Sequence, residues 1–232
     1  VITYVVSLVN SGTTALTGLV LTDNLGAYTF NEASLFPLQY VANSLKYYVN
    51  GVLQTSPVIA SQEPLQIEGI SIPAQGNAVV IYQAALTQFA PSATNSTITN
   101  QAVISGTGIS SITVEETISA LAEPILNITK SISPVPVTEN GALTYTFVIE
   151  NRGNVPADPV DLIVITDQFN PILSDLTVTF NGTAWAEGTQ YTYDQTTGLF
   201  TTKAGEITVP AATFTQNADT GAWSVIPGTS TL

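Results

Sequence analysis

The chain contains no cysteine, no histidine and no methionine. Without cysteine there is no disulfide framework, although that absence leaves the compartment open. Without histidine or cysteine, the Ser-His-Asp, Cys-His and zinc hydrolase arrangements are excluded. With no methionine, Val1 is not a translational start, and the sequence reads as a mature product or a fragment. Positive charge is scarce too: Lys46, Lys130, Arg152 and Lys203 stand against 17 acids, for a formal net charge of -13. That balance argues against nucleic acid and anionic lipid as partners. No apolar run reaches the ~18 residues of a membrane helix, so direct membrane insertion is not expected. No signal peptide or sorting tail is visible, and any such segment is expected outside these residues.

What is present is β-sheet patterning. A hydrophobic fraction of 44% is ample for a packed core, whereas 9% charged residues leave a surface of Thr, Ser, Asn and Gln. Residues 2 to 9 alternate, with Ile2, Tyr4, Val6 and Leu8 on one face, the period of a half-buried strand. Asn10-Ser11-Gly12 turns that strand, and a second is predicted from about Leu19 to Asp23. Pro37 makes Leu35 to Leu38 irregular, since proline disrupts a central strand. Asn50-Gly51 between Ser44–Val49 and Val52-Leu53 predicts a type I′ hairpin. Further strands are predicted at about Leu65–Ile72, Ala78–Leu86, Thr97–Ser105 and Ile112–Leu121, separated by Pro-, Gly- or Ser-rich turns. No segment has a capped helical period.

The pattern then repeats. Ile2-Thr3-Tyr4, Asn10-Ser11-Gly12 and Leu21-Thr22-Asp23 recur as Leu143-Thr144-Tyr145, Asn151-Arg152-Gly153 and Ile165-Thr166-Asp167. The hairpin Phe180-Asn181-Gly182-Thr183 matches Val49-Asn50-Gly51-Val52, and Ile207-Thr208-Val209-Pro210 matches Ile70-Ser71-Ile72-Pro73. Four landmarks in one order predict two domains, residues 1–122 and 123–232, joined at Ala122-Glu123-Pro124. The second domain adds a hairpin within Thr183–Thr202. The first domain has no counterpart of the strand Ile125–Ile132, so its first strand is expected before Val1 or from a neighbouring chain. The second lacks counterparts of the late strands after about Val80, and these too are expected from outside the given residues.

Ile-Thr-Tyr and Leu-Thr-Tyr, Asn-x-Gly, the Thr-Asp strand ends, Ile98-Thr99-Asn100-Gln101-Ala102 and Asn127-Ile128-Thr129-Lys130 together resemble the bacterial "conserved repeat domain", domain of unknown function eleven. The resemblance covers nearly the whole chain. Departures are three extra residues between Asn151 and Asp167, the enlarged middle of the second domain and the missing end strands. The family implies tandem immunoglobulin-like β-sandwiches in extracellular proteins of the bacterial cell or spore surface, including clostridial spore appendages. It implies a structural fibre, appendage or stalk rather than an enzyme, acting by assembly and by mechanical or protease resistance. Self-assembly with neighbouring copies or other surface proteins, by strand addition, is the expected partnership. The alternative is an adhesin module that binds host protein or glycan through loops at a sandwich end.

Strand phase nominates one chemical constellation. Lys130 shares a face with Leu126, Ile128 and Ile132; Asp23 with Leu19 and Leu21; Asp167 with Ile163 and Ile165; Asn100 with Ile98, Ala102 and Ile104. All four are therefore expected to face the core, where a lone charge is costly. A desolvated lysine can lose its proton and attack an asparagine carboxamide polarised by a protonated aspartic acid, forming an isopeptide and releasing ammonia. The order of the three residue types resembles isopeptide-forming domains of Gram-positive adhesins and pilins. Here the set is split, with Asp23 and Asn100 in the first domain and Lys130 and Asp167 in the second. The plainer reading is a Lys-Asp pair and an Asn that satisfies backbone groups, or residues near strand ends in solvent.

Other signals are weaker. Asn95, Asn127 and Asn181 stand in Asn-x-Thr sequons. Glu115-Glu116 and Asp158 with Asp161 could contribute to a calcium site, but EF-hand spacing is absent, so no metal and no cofactor is expected. Trp185, Trp223, Tyr191 and Tyr193 could form a sugar platform, though turn-flanking aromatics usually pack inward. No pair of acids stands out for glycoside hydrolysis.

Overall fold

The computed structural model describes residues 1–138 and 140–232. The chain is all-β: among the described residues, the strands are interrupted by a single 3-10 turn, Pro159–Asp161, and no helix is long and apolar enough to cross a membrane. It forms two compact units, Val1–Ala120 with Gln216–Ser224, and Leu121–Thr215 with Val225–Leu232.

Unit 1 contains β1 (Ile2–Asn10), β2 (Leu16–Asp23), β3 (Tyr28–Phe30), β4 (Ala33–Leu35), β5 (Leu38–Tyr40), β6 (Lys46–Val49), β7 (Val52–Gln54), β8 (Val58–Gln62), β9 (Leu65–Ile72), β10 (Gly76–Leu86), β11 (Thr97–Ser105) and β12 (Ile112–Ser119). One antiparallel sheet runs β1-β10-β6-β7, with β5 also on β10, and the other runs β12-β11-β2-β9-β8. Alternation decides what lies inside. Ala78, Val80, Tyr82 and Ala84 of β10 meet Leu19 and Leu21 of β2 and Leu65 and Ile67 of β9 in one buried cluster. Each fully buried aliphatic of this kind contributes about 1.5–3 kcal/mol relative to exposure.

Unit 2 contains β13 (Leu126–Ser133), β14 (Thr144–Asn151), β15 (Thr166–Gln168), β16 (Val178–Phe180), β17 (Thr183–Trp185), β18 (Tyr191–Asp194) and β19 (Leu199–Thr202), and it ends with β22 (Gly228–Thr231). The hairpin β20 (Thr213–Gln216) and β21 (Trp223–Ile226) precedes β22. The sheets are small: β13-β14-β22, β15-β19-β18 and β16-β17. The core has two clusters, one around Phe147, Ile149, Ala157, Ile207 and Val209, and one of Phe169, Tyr191, Tyr193 and Phe200.

The predicted bounds of β9 and β11 agree with the structure. Both Asn-Gly hairpins form, with φ of 48° and 78° at Asn50 and Gly51 and of 48° and 79° at Asn181 and Gly182, the double positive φ of a type I′ turn. The extra hairpin of the enlarged middle is β18-β19. The register supports the repeat: Asn10 stands opposite Gly76, and Asn151 opposite Gly228.

Three expectations need correction. The strand predicted at Ile163–Asp167 shrinks to Thr166–Gln168, because the inserted residues turn through Leu162 in the left-handed region at φ 52°. Ile207 to Pro210 forms no strand; Val209 makes one isolated bridge to Ala157, although Ile207 and Val209 are fully buried. Gln216–Ser224, assigned from sequence to the second repeat, belongs to unit 1. There Asn31 Nδ2 donates to Ala218 O at 2.9 Å and Trp223 N to Gln88 O at 2.8 Å. Gly221 packs so closely that a Cβ would lie 2.3 Å from Leu35 Cδ1.

Candidate functional site

In unit 1, β2 delivers Asp23 into the core as its last residue, opposite Ala102 of β11 and Leu65 of β9. Asp23 is 1% exposed and Asn100, on β11, is 3% exposed, so both face inward as phase required. Asp23 accepts hydrogen bonds from Leu25 N to Oδ1 at 2.7 Å, from Asn100 Nδ2 to Oδ2 at 2.9 Å, and from the Tyr82 hydroxyl to Oδ2. Asn100 Oδ1 accepts from Gly26 N at 2.9 Å, which fixes the amide orientation, since an N–H can pair only with the oxygen. Asp23 therefore acts as an acceptor toward Asn100. Burial pushes the Tyr82 phenol up strongly, and the Asp23 charge and its hydrogen bond add to that. Tyr4 stacks on Tyr82 with ring centroids 5.5 Å apart. Its hydroxyl is buried without a hydrogen-bond partner, and burial, then the charges of Asp23 and Glu116, push it up to about 12.

In unit 2, Asp167 pairs with Lys130 Nζ. The ammonium also lies over aromatic faces, 4.6 Å from the Tyr145 centroid, 5.3 Å from Phe169 and 5.6 Å from Phe147. The expected core-facing placement is not met here. The Lys130 side chain is 39% exposed and that of Asp167 16%. Every residue of β13 is exposed, Ile128 at 47%, and Leu126, Ile128 and Ile132 belong to neither buried cluster of unit 2. Phase told which side chains share a face, not whether a second sheet lies over it. Neither unit brings Lys, Asp and Asn together: Asp23 and Asn100 meet in one, Lys130 and Asp167 in the other.

The Asn-x-Gly motif carries more than a turn, and sequence reading missed this. Asn10 Nδ2 donates to Thr14 O at 2.9 Å and Pro73 O at 3.0 Å, while its Oδ1 accepts from Gly12 N at 3.0 Å. Asn151 repeats two of these three bonds, donating to Val155 O at 2.8 Å and accepting from Gly153 N at 2.8 Å. Asn151 Oδ1 also accepts from Ile125 N at 3.0 Å, which anchors the start of β13. The identical offsets in both repeats were the available signal.

Between the sheet edges of unit 1, β1 and β12, opens a groove of about 760 Å³ lined by Tyr4, Val6, Leu8, Ile104 and Ile118, with Asn100 among its walls. Among the described strands β1 pairs with β10 alone and β12 with β11 alone.

Several of the other residues singled out in the sequence have local partners. Asp161 accepts from Asp158 N at 2.7 Å and Glu115 from Gln101 Nε2 at 2.8 Å. Among the described residues no three acidic side chains gather as a metal site. Tyr191 and Tyr193 are buried beside Phe200 and Phe169, and Trp185 stacks on Phe180 at 5.0 Å. Asn181 accepts from Thr231 N at 2.8 Å. No protein-family model and no curated protein matches the chain.

Proposed function

We propose that the chain is a structural protein: two tandem immunoglobulin-like repeats of an extracellular bacterial surface fibre, spore appendage or stalk, working by assembly rather than catalysis. The observation that carries this reading is the repeated clamp of Asn10 and Asn151, with matched strand register around it. Repetition of one scaffold whose sheets end in exposed strands such as β7, β8 and β12 suits association by strand addition. The scarcity of Lys and Arg leaves trypsin few cleavage sites. Covalent locking belongs to the same proposal: an amine placed at Asn100 would attack its side-chain carbonyl carbon, form an amide and expel ammonia, with Asp23 moving protons.

Electron microscopy of concentrated protein, together with a glycan array, tests the reading. Filaments without glycan binding support it. Clean glycan binding by monomers replaces it with the adhesin alternative.

A further inference from the structure

The turns Asn50-Gly51 and Asn181-Gly182 are alike in sequence and in backbone, and they differ in what surrounds the asparagine amide. Each asparagine is exposed and clasps a neighbouring strand through one backbone residue. Asn50 N donates to Asn77 O at 3.0 Å, and Asn77 N to Asn50 Oδ1 at 2.9 Å. Asn181 N donates to Thr231 O at 2.8 Å, and Thr231 N to Asn181 Oδ1 at 2.8 Å. An N–H can pair only with the amide oxygen, so both carboxamides are oriented and both Nδ2 atoms point away from the donor. The residue before the donor makes the difference. In unit 1 it is Gly76, and Asn50 Nδ2 has no partner among the described residues. In unit 2 it is Ser230, 1% exposed, whose hydroxyl donates to Thr208 O at 2.7 Å and accepts from Asn181 Nδ2 at 3.2 Å.

We propose that Asn50 is a site of spontaneous modification, losing ammonia through a ring closed by Gly51 N, and that Ser230 withholds Asn181 from the same reaction. Gly51 N gives its proton to solvent base and attacks Asn50 Cγ. The Cγ–Nδ2 bond breaks, and the nitrogen leaves as ammonia with a proton from water. Water then opens the cyclic imide at either carbonyl, which leaves aspartate or isoaspartate.

The turn favours each step. A Cβ built at Gly51 would meet nothing within 4 Å, so the attacking nitrogen has open space around it. Ring closure needs the Asn50-Gly51 peptide to flip, and a flip converts a type I′ turn into type II′, the other two-residue hairpin turn. Strands β6 and β7 therefore stay paired. Asn77 N–H already points at Oδ1, where negative charge collects as Cγ is attacked, and it stabilises that charge. Asn181 shares the open glycine and the N–H donor. Its amide is held at both ends, however, and its leaving nitrogen is bound to a buried hydroxyl. The product at Asn50 is a carboxylate on the tip of a hairpin whose second strand, β7, is a sheet edge with Val52 and Leu53 exposed. Charge beside an edge strand disfavours pairing with another chain.

This inference goes beyond the assembling-repeat reading and does not depend on it. The full chain, held in mildly alkaline buffer and followed by peptide mass mapping, should convert Asn50 to its acid roughly tenfold faster than Asn181, the effect of one hydrogen bond on a barrier. In urea the two sites should react about equally, since glycine follows both. Ser230→Ala should raise the Asn181 rate toward that of Asn50, and Gly51→Ala should suppress reaction at Asn50. The comparison of the two sites in the native chain requires no variant to fold. Asn181 reacting as fast as Asn50 in the folded chain overturns the proposal. So does a preference that persists in urea, an Asn50 that reacts only in urea, or an Asn181 rate unmoved by Ser230→Ala.

Discussion

Asp23 and Asp167 end the same Leu/Ile-Thr-Asp motif in two copies of one scaffold, yet they have different surroundings. Asp23 is enclosed by two sheets and receives three hydrogen bonds from neutral donors. Asp167 is covered on one side only and meets a lysine that remains partly in water. The comparison teaches that the repeat specifies the direction of the carboxylate, whereas the strands stacked around it specify its chemistry. Among the described residues, unit 1 has β11 and β12 around the site, whereas unit 2 has β13 beside β14 and leaves Leu126, Ile128 and Ile132 exposed.

Replacing the two acids should separate the units most. Asp23→Ala orphans Leu25 N, Tyr82 Oη and Asn100 Nδ2, and should cost about 3–5 kcal/mol in urea denaturation. Asp167→Ala removes a partly solvated pair and should cost less than about 1 kcal/mol. Equal losses would break the contrast.

The two clamp asparagines come next. Asn151→Ala leaves two N–H groups, of Gly153 and Ile125, without acceptors and should cost about 2–3 kcal/mol. Asn10→Ala leaves one N–H group, of Gly12, without an acceptor and should cost about 1–2 kcal/mol. Hydrogen exchange at the Ile125 amide should quicken in the Asn151 variant.

The smallest effect is expected at high pH. Tyr4 is held up at about 12 from an ordinary 10.0, and Tyr82 is raised further in the same direction. Between those values the unfolded chain has lost a proton that the folded chain keeps, so stability is full below pH 10 and falls as pH rises toward 12. The urea midpoint of unit 1 should fall across that window. Tyr4→Phe should flatten the fall and cost little at pH 7, because its hydroxyl has no partner to lose. An unchanged slope in that variant would count against a buried Tyr4 hydroxyl.

Much of this was legible in the sequence, for identifiable reasons. Period-2 alternation placed β1, β9 and β11, and Asn-Gly placed both type I′ hairpins. The β3-β4 hairpin escaped because it turns through Asn31 and Glu32, at φ of 46° and 65°, and glutamate is no signal for positive φ. Phase put Asp23 and Asn100 inside correctly. It failed for Lys130 because alternation is blind to whether a second layer exists. The Asn10 and Asn151 clamps were visible only as turn residues, since their value comes from carbonyls and amides that the fold brings to them.

The hairpin around Gly221 sets an order of events. Asn31 finds Ala218, which lies 187 positions further along the chain, and Gly221 closes over Phe30 and Leu35. During synthesis from the N-terminus, unit 1 keeps that apolar corner uncapped until residues 216–224 emerge. Loop closure over such a span is slow compared with local hairpin formation. Unit 1 is therefore finished only after unit 2 has been synthesised through Thr215.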